Sequence, residues 1–320
     1  MNKNTFRLTE GAILLAIYTI LMLITLYIPG LGLVVNFFLP IPFMMFAAKH
    51  QWKQSLIFFI AAVILSLIVG TFLAIPLTLL YGLTGVVMGA MVKAGRSRLA
   101  TYVAGSIVFL AVTLAQYAVS IVLFNMNMIE EFIVTFQQSI DTSVNMLEGM
   151  GQTVDEAVIE QFESSIALLE TLMPSMFVMA SFMIVFLIQL VSFPIMRRFG
   201  LDVQKWIPFR MMTLPKSLLW YYLLSLLASM LIQPEVGSYW YWALTNLIFI
   251  LQFLMLFQGF TFIAHVSYIK GYSKAVLIVA IILSFLIPIV LYIIRILGII
   301  DLGFDLRKRF EKKVDEKFRL

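Results

Sequence analysis

An all-α, polytopic membrane fold is what this sequence predicts, on three observations. Hydrophobic residues are 62% of the 320 and charged residues only 12%, with a mean hydropathy of +1.01, a balance outside that of soluble domains. Apolar runs long enough to cross about 30 Å of hydrocarbon at 1.5 Å per residue recur along nearly the whole length. The Lys and Arg residues fall between these runs in an alternating pattern rather than on one soluble surface. That placement turns a pI of about 9.3 into a topology signal and excludes nucleic acid as a partner. The sequence contains no cysteine, which excludes disulfides, thiolate metal sites and a cysteine nucleophile.

Nine apolar segments can be marked, the first at 9–28. It is too long for a cleavable signal peptide and reads as a retained start-transfer helix. Gly11, Ala12 and Ala16 give it small side chains within two turns, and Ala12 and Ala16, four apart, share a face. The second segment, 31–47, is marginal in length and carries Pro40 and Pro42, which predicts a bent or partly unwound helix. Segments three and four, 54–72 and 74–92, follow, the fourth with a small-residue face of Gly82, Gly85 and Gly89. The fifth covers 100–124 and the sixth 173–195.

Between the fifth and sixth lies Asn125–Leu172, which has nine carboxylates and no Lys or Arg. Its stripe of Ile129, Phe132, Ile133, Phe136, Ile140, Val144 and Leu147 predicts an amphipathic helix, and EGMGQ a stop and turn. Thr153 and Glu156 read as a capping box that opens a second helix continuing into segment six. The result is an acidic extracytoplasmic hairpin whose apolar face covers something beneath it. No calcium-loop spacing occurs among its carboxylates.

Lys3 and Arg7, Lys49 and Lys53, Lys93 with Arg96 and Arg98, and the group from Arg197 to Lys216 all fall opposite that hairpin. The positive-inside rule makes their side, and the N-terminus, cytoplasmic. Segments seven and eight, 217–233 and 240–268, form a hairpin. The ninth, 275–299, leaves two alternatives open. A single crossing puts the basic tail outside against the charge rule, whereas a break at Pro288 lets the segment dip in and return. In that tail, 301–320, Leu302, Leu306, Phe310, Val314 and Phe318 recur at i+4, which predicts either an amphipathic helix on a lipid surface or a solvated basic end.

The chemistry inside the membrane is sparse. His50 and His265 lie apart, no metal-ligand cluster or cofactor motif is present, and no phosphate-binding G-x-x-x-x-G-K-[ST] loop occurs. The expectation is a protein that is not an enzyme and has no cofactor. Gln116, Gln189, Asn246, Gln252 and Gln258 are the uncharged polar groups that need partners where there is no water, and Arg295 is the intramembrane cation. Interhelical bonding and a functional role are the alternatives for each; Arg295 can also snorkel.

The context of Ala12 and Ala16, LTEGAILLAIYTILMLITLYIPGLGLVVNFFLPIPFMMFAAKH, resembles the first two helices of the substrate-binding S components of energy-coupling factor transporters. The resemblance covers about residues 1–200 and implies a six-helix domain, with 201–300 as added membrane helices. It also implies that Ala12 and Ala16 dock a coupling transmembrane subunit, that ATPases reside on other chains, and that the outer loops close over a small solute. The whole chain resembles the YybS family of uncharacterised bacterial membrane proteins, through LFQGFTFIAHVSYIKGYSKA with Gln258 and Gly259, and LGIIDLGFDLRKR with Asp301, Asp305 and Arg307. Two functions follow. One is a small-solute-binding subunit of a transport system in the bacterial plasma membrane. The other is a non-transporting scaffold or regulator that binds partner proteins or membrane lipid.

Overall fold

The computed structural model describes residues 3–151 and 155–310, and among them it has twelve α-helices and no strand. Seven helical stretches are long and apolar enough to cross a membrane, so the chain is an all-α polytopic membrane protein. It forms two units. The first holds Met1–Asn145 and Phe177–Lys205, the second Met146–Met176 and Trp206–Leu320.

In the first unit α1 (Lys3–Tyr27) is followed by the interrupted second segment: α2 (Leu31–Val35), a 3₁₀ turn at Asn36–Phe38, and α3 (Pro40–Lys49). The expected unwinding is there, and the prolines sit in the first turn of α3, where a missing N–H costs nothing. Although marginal as a span, α3 is the centre of the unit. Eight of its ten residues are buried, because α4 (Trp52–Gly70) and α5 (Ala74–Lys93) pack around it. The small-residue face of α5 meets it. A Cβ at Gly85 would stand 2.7 Å from the Pro40 carbonyl oxygen, and one at Gly89 would strike that of Met44, so only glycine permits this approach. Tyr18 on α1 sets its ring edge against Phe43 and shares a 2.6 Å hydrogen bond with Thr78 on α5.

α6 (Arg98–Phe124) begins at Ser97, whose hydroxyl accepts from the Ala100 amide, and ends at Asn125 in the left-handed conformation. α7 (Met128–Gly149) stops at the two-glycine turn, with Gly151 at φ 82°. α8 (Glu156–Arg198) then runs 43 residues without a break from the acidic stretch through segment six. Thr153, the first half of the expected capping box, lies outside the described residues. The expectation that the apolar face of α7 covers something needs correcting. No residue of α7 is buried. Ile129, Ile133, Ile140 and Val144 are half-buried, whereas Phe132 and Phe136 stand exposed and stack on each other.

The second unit contains α9 (Ser217–Ile232), α10 (Tyr239–Ile269), α11 (Ala275–Leu286) and α12 (Pro288–Phe304). The last two replace the expected ninth segment. Pro288 cannot donate to the helix before it, so α11 ends at Leu286 and Ile287 is extended. At 1.5 Å per residue α11 is about 18 Å long and α12 about 26 Å, and neither spans about 30 Å alone. The two alternatives are resolved by where α12 ends. Lys216, immediately before α9, pairs with Asp305 at 2.5 Å, and Arg210 lies over the ring of Tyr268 at the end of α10. The segment therefore dips in and returns to the face from which α9 starts.

Leu302 belongs to α12, and Asp305, at φ 51°, closes it, so the i+4 series from Leu302 does not run as one continuous helix. Val314 and Phe318 lie outside the described residues. Because the chain has no cysteine, Met212→Cys, Lys308→Cys and Val236→Cys can each be labelled singly. Positions 212 and 308 are expected to react from one side of the membrane and position 236 from the other. A residue 308 that labels with 236 overturns the re-entrant pair.

Candidate functional site

In the second unit α10 and α12 cross with their backbones in direct approach. A Cβ on Gly259 would strike the Ile294 carbonyl oxygen, and one on Gly298 that of Met255. This contact brings together the two stretches on which the family resemblance rests. Asp301, one turn beyond Gly298, is 2% exposed at its side chain, and Arg307, just past the end of α12, is 11% exposed. One carboxylate oxygen of Asp301 accepts from Gln258 Nε2 at 2.6 Å and from Arg307 Nε at 2.9 Å.

The rest of the guanidinium is satisfied as well. Its Nη1 donates to the carbonyl oxygens of Arg210 and Met212, both at 3.0 Å, and its Nη2 to Thr261 Oγ1 at 2.8 Å. Gln258 is used at both ends, because its Oε1 accepts from the Leu214 amide at 2.9 Å. Planar, delocalised arginine suits this position. Lysine could not hold a carboxylate, two carbonyls and a hydroxyl in a fixed fork. The cluster therefore clamps the irregular segment 210–214 against α10 and α12, and satisfies backbone groups that have no helix of their own. At the surface beside it, Asp305 carries a second contact: the hydrogen bond from Lys216 holds its carboxyl below the ordinary carboxylate value.

The expected polar residues are used in different ways. Gln258 is part of the cluster. Asn246 binds the start of the membrane part of α8: its Oδ1 accepts from the Ser175 amide at 3.0 Å and the Ser175 hydroxyl at 2.6 Å, and its Nδ2 donates to the Thr171 carbonyl at 2.7 Å. Gln189 in the first unit is fully buried and accepts from Arg98 Nε at 3.3 Å, although its own Nε2 has no partner. Gln116 donates to the Pro76 carbonyl at 2.8 Å. Gln252 is half-buried on α10, and Arg295 sets its guanidinium 5.1 Å from the ring centre of Tyr292. Ala12 and Ala16 are exposed on α1, flanked by exposed Ile13, Ile17 and Ile20.

The burial of two residues of these clusters escapes a reading of the sequence alone. Arg98 counts there as one more basic loop residue, yet it opens α6 buried, with its guanidinium 4.7 Å from the centre of the Phe193 ring. Asp301 reads as the start of a tail. The signal that could have found it is an acid following an apolar run that carries Gly298 at the spacing of close helix contact. Among the described residues there is no group of three or more His, Cys, Asp or Glu side chains placed to hold a metal.

Comparison with known proteins returns the same unity of the chain. The model of a family of predicted membrane proteins, DUF2232, matches residues 16–302. An uncharacterised protein, YybS of Bacillus subtilis (strain 168), is 30% identical over 308 residues, which cover 96% of this chain and 99% of that protein. No solved structure matches.

A buried ion pair is costly to split. Arg307→Met or Asp301→Leu alone is expected to destabilise the protein by about 3–5 kcal/mol, because each leaves an uncompensated buried charge. The double variant should lose less than the two singles together. Thermal unfolding in detergent measures all three, and strictly additive losses would contradict a direct pair.

Proposed function

The chain belongs to the DUF2232 family of predicted membrane proteins, and on that premise we propose that it is a non-enzymatic binding subunit of a transport system in the bacterial plasma membrane. Its N-terminus lies in the cytoplasm. The observation that carries this reading is the free face of α1, where Ala12 and Ala16 stand exposed one turn apart between larger apolar side chains. In lipid, association is driven by close packing, and a small-x-x-x-small face is where a second helix can approach. That helix belongs to a coupling transmembrane subunit. ATPases on other chains supply the energy, and the six-helix part takes a small solute.

A second reading, a scaffold or regulator that holds partner proteins or lipid without transport, is favoured by a different observation. Gln258, Asn246, Arg98 and Arg307 spend their polar groups on other side chains of the protein and on backbone, which binds the helices together and leaves little free for a polar solute. Both readings use binding and neither needs catalysis.

Gentle purification followed by mass spectrometry of retained small molecules and co-purifying chains separates them. The transport reading expects a bound solute together with an ATPase-linked membrane chain. Ala12→Leu with Ala16→Leu keeps helix propensity and insertion but adds bulk to the face. Recovery of the partner is expected to fall by tenfold or more, on the order of a lost 1.4 kcal/mol of packing, with expression unchanged. Equal recovery of every chain removes α1 as the docking face.

A further inference from the structure

Arg295 is an intramembrane cation that neither reading of function uses. It stands on α12, between the break at Pro288 and Asp305, where the chain is back at the face from which α9 starts. At 1.5 Å per residue that end is about 15 Å away along the helix axis. The adjacent Ile294 carbonyl packs against Gly259, inside the apolar run of α10, so this turn of α12 lies at hydrocarbon depth. Helix side chains lean toward the N-terminus, and this one does so: its guanidinium lies 5.1 Å from the ring centre of Tyr292, one turn nearer the Pro288 tip. Arg295 therefore points away from the face that a snorkelling arginine would have to reach. The opposite face is out of reach as well, because α11, about 18 Å long, sets the tip short of it.

A cation at such depth needs acceptors. Arg307 has four, whereas among the described residues no carboxylate pairs with Arg295, and its Nε is buried without a hydrogen-bond partner. The face of the Tyr292 ring offsets part of the cost but accepts little from the N–H donors of the fork. What this charge calls for is an anion at the same depth. A lipid phosphate sits at the interface, from which the guanidinium turns away. A second copy of the chain has none to give. Its acids in apolar helices, Glu10 and Asp301, are bound to Lys49 and Arg307, and the rest lie within 125–172, at Asp202 and Glu235 in connecting segments, or from Asp305 onward. The surface beside Arg295 suits a helix, since Ile289, Tyr292, Ile293 and Ile296 stand exposed at i, i+3, i+4 and i+7 as one apolar stripe. We infer that this part of α12 is a docking face for a transmembrane helix of another protein, one that carries an Asp or Glu within its apolar span and sets that carboxylate on Arg295. The planar guanidinium can take it with two parallel N–H donors.

The test uses the whole protein in phosphatidylcholine nanodiscs, carrying a dye at Lys308→Cys, and a dye-labelled synthetic leucine-rich transmembrane helix with one Glu at its centre, set against the same helix with Gln. Energy transfer reports association. Wild type is expected to hold the Glu helix about tenfold more tightly than the Gln helix, within the range of a polar contact between helices in lipid. Arg295→Met should abolish this preference and Arg295→Lys keep part of it; Arg295→Gln serves if Arg295→Met does not insert. Equal affinity of wild type for the two helices, or a preference that survives loss of the cation, overturns the pairing. In cells, a photo-crosslinking residue at position 296 is expected to give an adduct with a membrane protein whose apolar span holds an Asp or Glu, and changing that acid to its amide should lower the yield by about the same factor. An adduct indifferent to that change, or adducts with lipid or a second copy of this chain alone, would also overturn the inference.

Discussion

Inside hydrocarbon no water stands ready to pair with a stray N–H, C=O or charge, and the arrangement of this protein follows from that constraint. Helices meet it along their length. The places where it is not met automatically are the breaks: the loop before α9, the interruption at Pro288 and the unwound second segment. At the first of these the protein uses Arg307, whose fork collects two backbone carbonyls, a threonine hydroxyl and the Asp301 carboxylate. Removing the cation would take a donor from all four acceptors at once and leave the Asp301 carboxylate only the hydrogen bond from Gln258. The pair is better understood as the means of pairing irregular backbone against α10 and α12 than as a source of net stability, since desolvating two charges offsets much of their attraction.

Close backbone approach is the second device. Without a hydrophobic drive between helices in lipid, cohesion comes from packing, and packing is densest where side chains are smallest. The glycines of α5 let α3 sink until its carbonyls are in contact, so a segment too short and too proline-rich to face lipid becomes the interior of its unit. Gly259 and Gly298 do the same for α10 and α12, and by doing so bring Gln258 within reach of Asp301. The ionic cluster exists because the helices can cross so closely.

What remains outward is correspondingly apolar and specific in shape. α1 turns Ala12 and Ala16 outward among exposed isoleucines, and beside them lies an apolar groove lined in part by Glu10 and Lys49. The exposed aromatic pair of α7 lies in a helix rich in carboxylates, so its apolar stripe and its charge point to different surroundings. Polar groups turned inward and apolar surface turned outward are what a lipid surrounding demands.

Much of this was legible in the sequence. Hydropathy and length fix helices, because a backbone in lipid has no other open-chain solution, and every expected segment from α1 to α10 is present within a few residues. Pro40 and Pro42 announced the broken second segment, and Gly82, Gly85 and Gly89 a contact face, since both act locally through missing donors or missing side chains. Asn246, Gln258 and Gln189 could be named as groups needing partners, but not paired. Their partners on other elements lie 43 to 91 residues away, and the pairing depends on which faces meet, not on spacing along the chain. Charge counting left two fates for the last apolar segment and assigned Arg98 to a loop and Arg307 to the tail, because a rule about connecting segments cannot see an arginine folded back beneath a helix end. Only the tertiary structure decided that Pro288 turns the chain around and that Asp301 is buried, as each depends on the contact between α10 and α12 that two glycines permit.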